Sequence, residues 1–472
     1  MTRPREVSER TAARALVVGL EGPWPSPEEA AWLRQWNPAG VILFARNVTG
    51  RAQLTRLCTF LHDLVPTLEI TADHEGGPIS HLAAAVGCPP APWTLGQVDD
   101  LELTRKVHAE TARRLAAVGV DRVLGPCADV LTNPRNPVIG VRAFGDQENL
   151  VARHVHAAVR GLNAGGVGSC LKHWPGHGAS GTDSHLDEAF SGAVSTPAPF
   201  EAGMRAGCTA VMVGHLAPEK GGTPATLDRK RLDYWRRQLG ELGTDPVTLW
   251  ADDVTMGALR PAMMELGVPA PDGQGTGLVA PGDLPGAWFT ALVEAGCDRL
   301  LIRGIPWRAF PRGEEEVFVD PAQSQGADEA WPEETAYQEA RERAGCRLDP
   351  GFAHSEGDVV WLDFTAGDRW DTIVPDQAAV RDQFAQELAR RFDRVHRTGD
   401  QVPRSFSRPA THLVVTSHRP LGNSWQNPVT WQPWLAREGQ ALVSGHPSLM
   451  ADIVQVLGPG WAVKYCPEMN YA

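Results

Sequence analysis

The sequence predicts an α/β protein, a closed (β/α)8 barrel of the TIM type followed by a smaller α/β sandwich domain. Two observations carry this. Eight short β-rich runs alternate with helical patterns over the first 305 of 472 residues, and the alternation restarts after residue 345. Near-continuously apolar strands separated by helices argue a parallel sheet with both faces covered, and eight of them are the number that closes a barrel.

The runs are ALVVGLEG (15–22), GVILFARN (40–47), LEITADHEGG (68–77), VDRVLGPCADV (120–130), GSCLKHW (168–174), TAVMVGHLA (209–217), VTLWADDV (247–254) and DRLLIRG (298–304). Between them, Leu54, Leu57, Leu61 and Leu64 recur at helical spacing, as do Val151, Val155, Val159 and Leu162. Residues 306–345 are rich in Pro, Gly and Glu and read as a linker. The second layer, residues 346–472, is expected to contain strands at 358–364, 411–417, 441–445 and 461–466, with helices over 376–396 and 446–457. A doubly wound open sheet is the structural rival.

Composition narrows the function. A net charge of −13 with no Lys/Arg run argues against nucleic-acid binding. No apolar run reaches membrane-spanning length, and the polar N-terminus lacks a signal-peptide pattern. The eight cysteines are scattered without a C-x-x-C, the pattern of reduced, packed thiols in a cytoplasmic protein.

Polar residues gather where the apolar runs end: Asp73 to Gly77, Asp129 and Arg142, Lys172-His173, His215, and Asp252-Asp253. In a barrel those ends form the catalytic face. The densest segment is LKHWPGHGASGTDSHLDE (171–188). Its GHGASG formally matches G-x-G-x-x-G, but no apolar helix follows to face a pyrophosphate. A metal site from His173, His177, Asp183 and His185 is a second reading. Pro175-Gly176 forbids the helix that would put H-x3-H on one face, so any such site would be built from a loop. The third reading is an acid/base loop. Asp183 stands two residues from His185, where a carboxylate can fix the imidazole tautomer, and the glycines would let the loop close over a substrate. A solvated loop with incidental histidines is the alternative on spacing alone.

KHWPGHG with its downstream DSH (172–185), DHEGG (73–77), NPVIGVRAFG (136–145) and ADDVTMGAL (251–259) together resemble the bacterial β-N-acetylglucosaminidase branch of glycoside hydrolase family 3. GVILFARN and EAGCDRLLI add to the resemblance, which covers the first 305 residues. It implies a barrel with Asp252 as nucleophile, His185 as general acid/base oriented by Asp183, and Asp73, Arg142, Lys172 and His173 holding sugar hydroxyls. It implies no metal and no other cofactor.

One departure concerns recognition. The family pattern D-Q-E-G-G-R-V-x-R reads DHEGGPISH here, so Pro78 and His81 stand where arginines would, and His81 takes the second arginine's place in the sugar-binding set. The expected activity is a retaining exo-β-N-acetylhexosaminidase acting on N-acetylglucosamine-containing saccharides, with a role in peptidoglycan recycling. A phosphorylase on the same scaffold and a catalytically impaired sugar-binding protein are the alternatives.

Overall fold

The computed structural model describes residues 7–182, 184, 189–190, 196–242, 247–268, 278–313, 317, 319, 331, 335–344, 355–363, 388, 392–397, 410–417, 435–457 and 459–466. The eight barrel strands are β1 (Leu16–Gly19), β2 (Gly40–Leu43), β3 (Glu69–Ala72), β4 (Arg122–Val123), β5, β6 (Ala210–Val213), β7 (Thr248–Ala251) and β8 (Arg299–Ile302). β5 comes in two pieces, Gly168–Ser169 and Leu171–Trp174, interrupted at Cys170. All neighbours pair in parallel, the first piece of β5 with β4 and the second with β6. β8 then pairs with β1, Leu300 against Leu16, so the ring is closed.

Most of the strands alternate although they read as apolar runs; β5 breaks the alternation with a register shift against β6. Val17, Ile42, Met212, Trp250 and Leu301 point into the barrel with Phe44 and Leu124. Their neighbours Leu16, Val18, Val41, Leu43, Val211, Leu249 and Leu300 point outward under the helices. Both faces are buried, so most strands read as apolar runs rather than as an alternation of apolar and polar residues.

The helices form for local reasons. Ser26 and Glu29 make a reciprocal capping box at the start of Pro27–Trp36. Arg51–Leu64 buries Leu54, Leu57 and Leu61, and Glu148–Gly165 buries Val151, Val155, Val159 and Leu162, the stripes read from the sequence.

The stretch after β8 is anchored to the barrel wherever it is described. Trp331 Nε1 donates to Ala85 O at 2.6 Å. Helix Thr335–Arg343 sends Tyr337 into the core, its hydroxyl 2.7 Å from Thr111 Oγ1. The second layer is a five-stranded sheet of parallel pairs in the order Phe392–Arg397, Ser355–Asp363, Ala410–Ser417, Leu435–Gly445, Trp461–Cys466. Helix Leu449–Leu457 precedes the last strand.

One expectation is corrected here. Residues 392–396, read as the end of a helix, belong instead to the edge strand Phe392–Arg397, paired in parallel with Ser355–Asp363. An edge strand pairs on one side only, so FDRVHR carries too little apolar signal to separate it from a charged helix. Residues 376–387 of that helix lie outside the described residues. No helix among the described residues is long and apolar enough to cross a membrane.

Candidate active site

The C-terminal ends of the strands surround a cleft with about 660 Å3 of empty space. Asp73, His81, Arg142, Lys172, His173 and Asp252 all line it. Asp183 and His185 lie outside the described residues. Ser184, between them in sequence, is buried and lines the cleft.

A buried ionic network forms one wall. Glu75 takes two hydrogen bonds from Arg142, Nε to Oε2 and Nη2 to Oε1, both 2.8 Å. Lys172 Nζ lies 2.5 Å from the same carboxylate and also donates to Asp73. Burial alone would push Glu75 toward protonation, but the charges of Arg142 and Lys172 outweigh it and hold the group well below the usual carboxylate range. Burial likewise disfavours the Lys172 ammonium, yet Asp73 and Glu75 carry it above its ordinary value. Both cations are therefore fixed and charged before any substrate arrives.

The network continues through His173. Arg142 Nη2 donates to His173 Nε2 at 3.2 Å, and His173 Nδ1 faces Asp129 Oδ2 at 2.7 Å. A guanidinium can only donate, so the imidazole proton sits on Nδ1 and is held by Asp129. Asp129 also accepts from the His173 and His177 backbone N–H groups, at 3.1 and 2.6 Å. His177 Nε2 lies 3.1 Å from Ser184 Oγ, and burial pushes the His177 imidazolium down to about 4, so it is neutral near pH 7.

Cys127, Asp129 and His173 bring metal-ligand atom types within 4.8 Å of one another. Their donors and acceptors are turned on each other and on Arg142. The Cys127 thiol, pushed up by burial, donates to Asp129 at 3.3 Å. The cluster serves as a hydrogen-bond relay that orients His173.

The two aspartates after β7 are placed differently. Asp253 Oδ1 accepts from Thr255 N and Oγ1 at 3.0 and 2.7 Å, and Oδ2 accepts from Arg303 Nε. His215, expected on the catalytic face, holds the Asp253 carbonyl at 3.1 Å and Thr226 Oγ1 at 2.9 Å, a bracing role outside the cleft. Asp252 Oδ1 accepts from Asp253 N at 2.8 Å, and its side chain borders the cleft.

Sequence reasoning missed Arg303 and Phe44 as cleft residues, and gave Glu75 and His177, which it had noted at the strand ends and in a metal reading, no part in holding the site. Glu75 had a signal in its place beside Asp73, and Arg303 one as the lone charge closing an apolar run. Arg303 brings a guanidinium to the cleft that His81 also lines. His81 is buried with its ring edge-on to Phe44 at 5.3 Å, and burial pushes its imidazolium down to about 4.

Residues 14–265 match the Glycosyl hydrolase family 3 N terminal domain, more than half of the 472 residues. The chain belongs to glycoside hydrolase family 3. This family 3 hydrolase is 34% identical over 259 residues to a beta-hexosaminidase of Xylella fastidiosa, an alignment covering 52% of this chain and 76% of that one. A beta-hexosaminidase of Stenotrophomonas maltophilia is 30% identical over 302 residues, covering 61% and 82%. Among solved structures, NagZ from Neisseria gonorrhoeae in complex with N-trifluoroacetyl-D-glucosamine is 29% identical with a TM-score of 0.51, covering 61% of this chain and 81% of that one. A family 3 beta-N-acetylglucosaminidase from Paenibacillus sp. str. FPU-7 shares the fold over 97% of this chain and 89% of its own, at 22% identity and a TM-score of 0.66.

Proposed function

We propose that this family 3 hydrolase is a retaining exo-β-N-acetylhexosaminidase that removes terminal β-linked N-acetylglucosamine. The observation that carries the reading is the meeting of Asp252 with Asp73, Lys172, Arg142 and His173 in one cleft at the barrel's catalytic face. Relatives named beta-hexosaminidase and a relative bound to an N-acylated glucosamine support the substrate class. Saccharides derived from the cell wall, processed in the cytoplasm, are the natural source of such a substrate.

In this mechanism Lys172, Arg142 and His173, held by Glu75, Asp73 and Asp129, seat the sugar. Asp252 attacks the anomeric carbon as the glycosidic bond breaks, giving a glycosyl ester through an oxocarbenium-like transition state. Asp253 is committed to Thr255 and Arg303, which favours Asp252 as nucleophile within the pair. His185, oriented by Asp183, protonates the leaving oxygen and then takes a proton from water for the second step. An imidazole, with an unperturbed pKa of about 6.5, suits both halves near neutral pH.

The test is a covalent trap. A slowed fluorinated N-acetylglucosaminide should label Asp252, and Asp252→Ala should abolish turnover while retaining sugar binding. His185→Ala should cost about 10²–10⁴-fold on a poor leaving group and much less on a nitrophenyl glycoside. Label on Asp253, equal losses on both leaving groups, or turnover that requires phosphate would each overturn this assignment.

A further inference from the structure

Among the described residues, the second layer touches the catalytic face of the barrel at the consecutive residues Arg135 and Asn136. Arg135 Nη2 donates to Asp452 Oδ1 at 2.7 Å, with Nη1 to Oδ2 at 3.4 Å. His446 Nε2 reaches the carbonyl of Asn136 at 2.8 Å in a buried contact.

The His446 end of this contact is held firmly. Ser448 N–H donates to His446 Nδ1 at 3.2 Å, which puts the imidazole proton on Nε2 and aims it at Asn136. His446 N donates to Ser417 O at 2.7 Å, and Tyr465 Oη donates to Gly445 O at 2.7 Å. Gly445 has φ +109°, and a Cβ there would stand 2.0 Å from Ser417 O, so glycine is needed for the turn to lie against its neighbour. His446 is thus tied to three adjacent strands of the second sheet at their C-terminal ends.

The Asn136 end leads into the cleft. Asn136 is fully buried, and its Oδ1 accepts from Val138 N and Ile139 N at 2.9 and 2.8 Å. Val138 lines the cleft, and its carbonyl accepts from Arg142 Nη1 at 3.3 Å. Asn136 Nδ2 donates to His177 O at 2.7 Å, so the same side chain also fixes the loop carrying His177. The residue whose carbonyl the second layer grips is therefore one hydrogen bond from His177 and two from Arg142.

We infer that His446, supported by the Arg135–Asp452 pair, is a positioning residue for the sugar site. It holds Asn136 so that Val138 and Arg142 face the substrate in register. The second layer then sets substrate affinity through this contact. This rests on reading the cleft as the sugar site.

The experiment uses the full chain and measures kcat and KM separately for nitrophenyl N-acetyl-β-glucosaminide, the inhibition constant of free N-acetylglucosamine, and Tm. His446→Ala is expected to raise KM and the inhibition constant together by about 2- to 10-fold, the effect of one buried hydrogen bond, with a smaller change in kcat. His446→Gln, whose amide can donate to the same carbonyl, should restore both constants. Asp452→Asn should move them in the same direction by less.

A contact that only glues the layers together would lower Tm and leave KM untouched in folded protein. That result for His446→Ala overturns the inference. If His446→Ala does not fold, an unchanged KM in Asp452→Asn overturns it instead. Arg142→Lys separates the two levels. If it leaves KM unchanged, the sugar-site reading itself fails; if it raises KM while the His446 and Asp452 variants do not, only the positioning role fails.

Discussion

Glu75→Gln tests the buried network at its centre. The Glu75 side chain is fully buried and takes three charge-assisted contacts, two from Arg142 at 2.8 Å and one from Lys172 at 2.5 Å. Gln keeps the shape but offers a single acceptor oxygen, and its NH2 must face a cation. Lys172 retains Asp73, whereas Arg142 loses its only ion-pair partner among the described residues. Removing one member of a buried pair costs about 3–5 kcal/mol, chiefly because the remaining charge stays buried. The expected loss is therefore about 3–5 kcal/mol in urea unfolding followed by far-UV circular dichroism. KM should rise as Arg142 and His173 lose their fixed orientation. Asp73→Asn is the control, because Glu75 still neutralises Lys172, and it should cost clearly less. A Glu75→Gln loss below about 1 kcal/mol, or one equal to that of Asp73→Asn, would refute the view that Glu75 organises the site.

Two further outcomes follow from the same geometry. Burial lowers His81 and His177 to about 4 and His74 to about 3, so the folded state refuses protons that the unfolded chain accepts below about 6.5. Stability should fall as pH drops from 6.5 toward 4, by up to about 1.4 kcal/mol per pH unit for each such histidine, and His177→Gln should flatten a Tm-against-pH curve. A flat wild-type curve over that window would contradict this. Arg303→Leu should lower stability by about 1.5–3 kcal/mol, because it strips a charged bond from the buried Asp253 carboxylate. Combining it with Asp253→Asn should recover part of that loss, and strict additivity in the double-mutant cycle would deny the coupling.

The barrel was legible because its strands are buried on both faces, so each reads as an apolar run ended by a polar residue. Strand ends also gave away Asp73, Lys172, His173 and Asp252. What escaped were partnerships across the ring. Glu75 meets Arg142 67 residues later, and Arg303 meets Asp253 50 residues earlier. Asn136 stood in the quoted motif NPVIGVRAFG, yet nothing local marks it as the joint between His177, Val138 and a second layer 310 residues away. The glycines of GHG read as a hinge for closure. For Gly178 the structure gives a different reason, since a Cβ there would lie 1.7 Å from Val130 O and the two loops could not touch.

The pairing of β1 with β8 also has a consequence for biosynthesis. Leu16 waits for Leu300, so until that last strand leaves the ribosome the growing chain holds two open sheet edges, on β1 and on β7. Such edges invite pairing with other nascent chains. The strand that seals the ring is followed at once by Arg303, which completes the setting of Asp253 beside Asp252. The strand that closes the scaffold thus also delivers the residue that sets Asp253, so an unfinished barrel lacks both its last seam and that bond.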